Sequence, residues 1–395
     1  HRTTEPAETL ERLQLIAPEM GISRVANITG LDEIGIPVAA AIRPNSRNIS
    51  VSQGKGLDLV AAKVSALMES VEGFHAESIT LPLRLASHRE LTSLERVACV
   101  ERLPSTTGSK FHPELRMLWI GSRNLLDDDS VWVPFECVDA NYTLPFPPGS
   151  GCFQASSNGL AAGNHVLEAI SHAICELVER DAYALWWARD EADRASRMLD
   201  LSTVDDPDCQ AVLDRYRRAG VAVAAWDMTT EIGIPSFVCV ISTRCHGDAA
   251  HLVAADGMGS HPSRSVALLR AMTEAAQCRL TVIAGARDDL ARAMYRSSRS
   301  QHQAAVLCDL TESRPAARDF RKGAEIAAST IYDDVTRELE LLKAAGYGEI
   351  LCVDLTQEHF QVPVVRVVIP GLEGVCFQPD YCPGERVRAM GDSVV

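Results

Sequence analysis

The sequence predicts an α+β fold of small sheets with helices packed on them, and three observations carry that expectation. A phrase reading glycine, strand, turn, strand occurs three times. A helical phrase, Ala-x-x-Glu-x-x-Glu/Gln, also occurs three times. The composition is that of a folded chain: 395 residues, 46% hydrophobic and 23% charged, enough apolar material to bury a large core.

The elements follow in order. Met20-Gly21 leads into an apolar run ending Asn27-Ile28-Thr29, then Glu33-Ile34-Gly35-Ile36-Pro37-Val38-Ala39. The first glycine suits a left-handed stop after a helix, the β-branched run suits a strand, and Gly-Ile-Pro turns the chain into a second strand. Residues 58–77 lack internal proline and space apolar side chains at i, i+3 and i+4, which predicts a helix; it carries Ala66-Leu67-Met68-Glu69-Ser70-Val71-Glu72. From Asp127-Asp128-Asp129 to Gly149-Ser150-Gly151, the density of Pro, Gly and acidic residues predicts surface loop. A second helix is predicted over 165–188, with Ala173-Ile174-Cys175-Glu176-Leu177-Val178-Glu179.

The strand phrase returns as Ala219-Gly220, Asp227-Met228-Thr229 and Glu231-Ile232-Gly233-Ile234-Pro235. A third helix is predicted over 263–284, with Ala271-Met272-Thr273-Glu274-Ala275-Ala276-Gln277. The polar stretch from Arg287 to Lys322 predicts a mobile loop. The last copy reads Ala345-Gly346, Ile350 to Val353, Asp354-Leu355-Thr356 and Val362-Pro363-Val364. The first and third helical phrases are about as far apart as the strand phrases preceding them. We therefore expect a single domain of two pseudo-repeated halves, about 1–150 and 151–395.

With 38 basic against 53 acidic residues the net charge is −15, which excludes a sequence-independent nucleic-acid binder, because the surface repels a phosphate backbone. An anionic ligand would need a bridging cation. The twelve cysteines include no C-x-x-C pair, so zinc and thioredoxin readings fall away. Cys239 and Cys352 lie in apolar runs, where a reduced thiol behaves as a small hydrophobe; a reducing cytoplasm is the expected compartment. No apolar stretch reaches the roughly 18 residues a membrane span requires, so no membrane partner is expected.

Carboxylates at i and i+3 share a helix face and repel each other unless a cation bridges them. A solvated face is the plain alternative. Here the neighbours Leu67, Met68, Val71, Ile174, Leu177 and Val178 are apolar, and an unpaired charge among such groups is costly. Magnesium takes carboxylate oxygens and commonly bridges to phosphates, which reconciles an acidic protein with an anionic ligand. Ser156-Ser157-Asn158-Gly159-Leu160-Ala161-Ala162-Gly163-Asn164 is either an ordinary connection or a small-residue loop whose amides meet phosphate oxygens ahead of a helix N-terminus. Gly54-Lys55-Gly56 lacks Walker spacing, which excludes a P-loop, although Lys55 can neutralise phosphate charge.

Taken together these segments resemble the YcaO proteins over nearly the whole chain. The segments that carry the resemblance are Gly54-Lys55-Gly56; Ser65 with Glu69 and Glu72; Ser157-Asn158-Gly159; Ala162-Gly163-Asn164 with Glu168-Ala169; Glu176 with Glu179-Arg180; and Glu274 with Gln277 and Arg279. The resemblance implies a YcaO-type α+β fold, with mixed or antiparallel sheets and helices around a central ATP site, and the cofactors ATP and Mg2+. It implies that Glu69, Glu72, Glu176 and Glu179 hold magnesium. Lys55, Ser65, Asn164, Glu168, Arg180 and Arg279 would surround the nucleotide, with Arg2 also within reach of it.

The implied activity is ATP- and Mg-dependent O-phosphorylation of a peptide backbone amide, as in the biosynthesis of ribosomally made modified peptides. Azoline-forming cyclodehydratases of the family end in a Pro-x-Pro-x-Pro tail; this chain ends Arg386-Val387-Arg388-Ala389-Met390-Gly391-Asp392-Ser393-Val394-Val395, which points away from ring formation. Residues Gly21 to Asp32 and Gly285 to Leu290 look like the subgroup found with TfuA-type partners, associated with thioamide formation from external sulfide. The expected partners are a peptide or protein substrate, a TfuA-like protein, a sulfide donor and, as in relatives, a second copy of the chain. The alternatives are an azoline-forming cyclodehydratase acting on Cys, Ser or Thr, a non-catalytic nucleotide-binding adaptor, and a non-enzymatic scaffold in which the acidic phrases are structural ion-pair sites. No general acid or base is singled out: His75, His165, His172, His251 and His261 are candidates, and a lone histidine is more often structural.

Overall fold

A computed structural model describes residues 3–243, 254–288 and 318–391. Their strands are β1 (Arg24–Asn27), β2 (Val38–Ile42), β3 (Val51–Lys55), β4 (Leu83–Ser87), β5 (Arg116–Asn124), β6 (Ser130–Pro134), β7 (Leu160–Ala162), β8 (Leu199–Asp200), β9 (Val221–Asp227), β10 (Ser236–Thr243), β11 (Ala255–Ser260), β12 (Arg318–Asp319), β13 (Leu351–Asp354) and β14 (Val364–Val368). The helices are α1 (Pro6–Ile16), α2 (Leu59–Glu77), α3 (His88–Thr92), α4 (Val166–Ala188), α5 (Glu191–Ser196), α6 (Pro207–Arg218), α7 (Arg264–Ala284), α8 (Ile331–Ala344) and α9 (Glu385–Gly391). The three predicted helices are α2, α4 and α7. None of the described helices is long and apolar enough to cross a membrane.

The described residues form two compact units. One draws on His1–Thr3, Val71–Arg189 and Ala328–Val395, the other on Thr4–Ser70 and Asp190–Ala327. The second unit holds two antiparallel three-stranded sheets, ordered β1-β2-β3 and β11-β10-β9. In its core Phe237, Cys239 and Ile241 of β10 meet Leu268, Ala271, Met272 and Ala275 of α7. The first unit holds a six-stranded sheet, β4-β5-β13-β14-β7 with β6 on β5. Against it lies α4, whose Ala173, Ile174, Leu177 and Val178 are buried, as expected of a helix apolar on most of its surface.

The repeat seen in the sequence is a repeat of hydrogen bonds. Asn27, Asp227 and Asp354 each accept the amide of the threonine two residues on, at 3.1, 2.9 and 2.9 Å. The hydroxyls of Thr29, Thr229 and Thr356 then each accept the first amide of the next strand, from Val38, Ser236 and Val364, all at 3.1 Å. Gly21, Gly220 and Gly346 all have positive φ (75°, 68° and 93°), the conformation expected of a glycine stop. Before each Ile-Pro or Val-Pro pair a second left-handed residue turns the chain: Gly35 (71°), Gly233 (86°) and, without a glycine, Gln361 (52°). A third strand and a helix complete each copy, and the amides of Gly56, His261 and Gly163 close them on the carbonyls of Pro37, Pro235 and Pro363. Copies one and two run continuously, as β1-β2-β3-α2 and β9-β10-β11-α7. The last is permuted: β13 and β14 come late in the chain and pair with each other, and β14 pairs with β7, which leads into α4.

Some expectations change. Ser130–Pro134, inside the predicted loop of 127–151, is strand β6, because Val131 and Val133 alternate inward and are buried. Most of the predicted mobile stretch, 289–317, lies outside the described residues. Its far end is ordered: Arg318–Asp319 is a strand, and the Phe320 ring is buried beside Phe237. None of the ten described cysteines is in a disulfide; Cys239 is fully buried, whereas Cys352 is only partly so.

Candidate nucleotide and metal site

The acidic phrases fall one to a helix, and two of these helices, α2 and α7, touch a strand through glycine. A Cβ on Gly54 would lie 2.0 Å from the Ala66 amide nitrogen and 2.4 Å from the Ala62 carbonyl, and one on Gly259 would lie 2.0 Å from the Ala267 carbonyl. Gly56 likewise abuts Ala61 and Ala62. The glycines of Gly54-Lys55-Gly56 therefore allow strand and helix to touch, which fixes where α2 presents Ser65, Glu69 and Glu72.

In the first unit the carboxylates grip backbone amides. Glu72 accepts from Ala162 N at 2.8 Å, and Glu176 from Gly159 N at 3.2 Å. Glu168 takes Asn164 N at 2.9 Å through one oxygen, and the amide and hydroxyl of Thr3 at 2.5 and 2.8 Å through the other. Each such bond uses only a fraction of a carboxylate's acceptor capacity. Arg180 spans Glu179 (3.2 Å) and Glu176 (3.8 Å), with the Glu179 side chain only 4% exposed. Arg2, expected near the nucleotide, lies outside the described residues.

In the second unit the third phrase is engaged with strand β3. The Lys55 ammonium lies 2.6 Å from Glu274, and Gln277 Nε2 donates to the Gln53 carbonyl at 3.3 Å. Arg279, expected around the nucleotide, is held in a buried two-point ion pair with Asp32 (2.8 and 3.1 Å) and also donates to Thr243 Oγ1 at 2.7 Å; a nucleotide would compete with Asp32 for it. The two subgroup phrases close on neighbours in the same way: Asp32 on Arg279, and Asp288 on the amide of Ser50 at 3.1 and 3.3 Å.

Among the described residues no three His, Cys, Asp or Glu side chains are gathered as a metal cage. Magnesium does not need one, since it keeps waters and takes one or two carboxylates together with phosphate oxygens. The donor chemistry fits: the candidates Glu69, Glu72, Glu176 and Glu179 offer only hard oxygens. Asn158 Oδ1, in the loop whose Gly159 amide Glu176 holds, is buried without a hydrogen-bond partner among the described residues, an acceptor placed to take a ligand donor or a cation.

Three of the candidate histidines bond to backbone groups. His75 donates from Nδ1 to Val71 O at 2.8 Å among Phe74 and Phe360, and burial lowers its pKa. His165 caps α4 by accepting from Leu167 N, and His261, pushed down to about 3 chiefly by burial, accepts from Ser263 N. His251 lies outside the described residues. Sequence reasoning missed Arg366 of β14, which is 3% exposed and donates from Nη2 to Ser156 O at 2.7 Å. Burial lowers its pKa while Glu176 and Asp139 act to raise it. The signal was present: an arginine at the centre of Val364-Val365-Arg366-Val367-Val368.

Comparison with known proteins identifies the family. Residues 53–373 match the family model described as YcaO cyclodehydratase, ATP- and Mg2+-binding. An uncharacterised protein encoded in the tfuA 3′ region of Rhizobium leguminosarum is 38% identical over 94% of this chain and 88% of its own length. An uncharacterised protein of Methanothermobacter thermautotrophicus is 33% identical over 98% of this chain and 99% of its own length. Among solved structures, a heterocyclase in complex with substrate and cofactor superposes with a TM-score of 0.79 at 25% identity; it matches 98% of this chain, which spans about half (54%) of that protein. YcaO from Methanopyrus kandleri, bound with AMPPCP and Mg2+, gives a TM-score of 0.74 at 22% identity over 97% of this chain and 95% of its own, and shares the fold. The chain belongs to the YcaO family of ATP- and Mg2+-binding, peptide-modifying enzymes.

Proposed function

We propose that this protein activates a peptide backbone amide for conversion to a thioamide. An amide carbonyl is a poor electrophile because resonance stabilises it. Bound Mg-ATP supplies the phosphoryl group that makes the carbonyl oxygen a leaving group, so that hydrosulfide forms the new carbon–sulfur bond as phosphate departs and a proton is lost. The chain's own part is positioning and charge neutralisation. In this reading Glu69, Glu72, Glu176 and Glu179 hold magnesium, and Asn164, Glu168, Arg180, Lys55, Ser65 and Arg279 surround the nucleotide.

The observation that supports the reading is α4, whose Glu176 holds the Gly159 amide, whose Glu168 holds the Asn164 amide and whose Arg180 spans Glu176 and Glu179. The choice of sulfide rests on the tfuA-region relative and on the phrases Gly21 to Asp32 and Gly285 to Leu290. A TfuA-like partner, a sulfide donor and a homodimer belong to the same proposal. Reconstitution with that partner, Mg-ATP, sulfide and candidate peptides should replace one oxygen by sulfur in the peptide mass. Loss of water instead would establish azoline formation, the reading favoured by the heterocyclase neighbour. If peptide-dependent phosphate release is absent, the adaptor reading stands.

A further inference from the structure

The first unit contains a surface cavity of about 420 Å3 between the C-terminal turns of α4 and the segment leading into α9. Tyr183, Trp187, Cys376, Phe377, Tyr381 and Val387 form most of its wall. The Tyr381 hydroxyl donates to Glu373 Oε2 at 2.8 Å, so the wall is largely hydrocarbon and ring. Trp187 and Phe377 remain 42% and 60% exposed, which is unusual for such large apolar side chains side by side.

The cavity shares one side of α4 with two of the candidate site residues. Glu176, Arg180, Tyr183, Ala184 and Trp187 follow i, i+4, i+7, i+8 and i+11, one stripe along α4. The Arg180 guanidinium lies 5.9 Å from the Phe377 ring centre while it pairs with Glu176 and Glu179, so one residue faces both places. A phosphorylated amide must lie beside the nucleotide's end, and the side chains flanking it spring from Cα atoms only about 3.8 Å apart along the same peptide. The volume suits one or two bulky side chains, at the low end of the range for small-ligand pockets.

We infer that this cavity is the acceptor subsite, and that it takes an aromatic or branched aliphatic side chain of the peptide at or next to the amide being modified. The inference rests on the reading of Glu176, Glu179 and Arg180 proposed above. Its test does not require turnover. Blocked tripeptides Gly-X-Gly, with X as Phe, Leu, Asp or Lys, are titrated against the full chain without nucleotide, and alkylation of Cys376 is followed by mass spectrometry with Cys382 as internal reference. Phe and Leu peptides should bind about tenfold to a hundredfold more tightly than the Asp peptide, as expected for burying one such side chain, and should slow Cys376 alkylation. Trp187→Ala should remove most of that preference.

Equal binding of all four peptides would overturn the assignment, as would tight binding that leaves Cys376 unprotected. So would a Trp187→Ala change in sedimentation mass, which would make the cavity an interface between copies. A failure of Mg-ATP to raise the melting temperature of the wild-type chain would instead count against the nucleotide site, leaving the peptide measurement to be judged separately. Should Trp187→Ala not fold, wild-type peptide discrimination and Cys376 protection still decide the matter.

Discussion

Glu338→Gln should reshape the pH dependence of stability. Glu338 of α8 is fully buried against α4, and its Oε1 accepts from Ser171 Oγ at 2.7 Å and Cys175 Sγ at 3.4 Å. Burial raises its pKa from 4.5 to about 8, against the opposing pull of those two donors. The acid is thus retained in the folded state at pH values where the unfolded chain has released its proton. Stability from this group is complete below about pH 4.5 and is lost progressively as pH rises toward 8, at about 1.4 kcal/mol per pH unit, on the order of 3–5 kcal/mol in all. Glutamine keeps the acceptor oxygen and does not titrate, but its amide nitrogen replaces Oε2, which has no hydrogen-bond partner among the described residues; that costs about 1–3 kcal/mol at every pH. The variant should therefore be less stable than wild type near pH 5 and more stable near pH 8. Urea unfolding at half-unit pH intervals measures both curves, and parallel curves would refute the buried-acid argument.

Mg-ATP should raise the wild-type melting temperature, and Glu72→Gln or Glu179→Gln should abolish most of that shift while leaving the circular dichroism spectrum intact. Gly259→Ala should cost at least about 3 kcal/mol or prevent folding, because its methyl would meet the Ala267 carbonyl; normal denaturation would contradict the close packing of β11 on α7. Gln361→Gly should stabilise by about 0.5–1 kcal/mol in thermal unfolding, since φ of 52° strains a side chain that both other copies replace with glycine. A Lys55/Glu274 double-mutant cycle should show a coupling of about 1 kcal/mol or more in chemical denaturation, as the pair is only 19% and 15% exposed.

Local signals made much of this legible. The predicted helices match α2, α4 and α7 almost to their ends because helix period and the absence of proline are written within short windows. The repeated turn was readable because its glycines and threonines recur at fixed offsets. Strand β6 was hidden by the acidic and proline-rich residues around it. Lys55 and Arg279 were readable as charges, but their partners Glu274 and Asp32 depend on pairings more than two hundred residues apart in the chain. The cavity was invisible for the same reason: Tyr183 and Phe377 meet only when the C-terminal segment packs on α4.

The permuted copy sets a timetable for biosynthesis. Strand β7 and the apolar α4 leave the ribosome roughly 200 residues before β13 and β14 arrive to cover them, on the order of 10–40 s at about 5–20 residues per second. During that interval the nascent chain exposes its greasiest helix to the cell, while the Thr4–Ser70 portion already has its own sheet in hand. Recombinant yield should therefore respond to slowed translation and to trigger-factor-type chaperones more than the finished protein's resistance to heat would suggest.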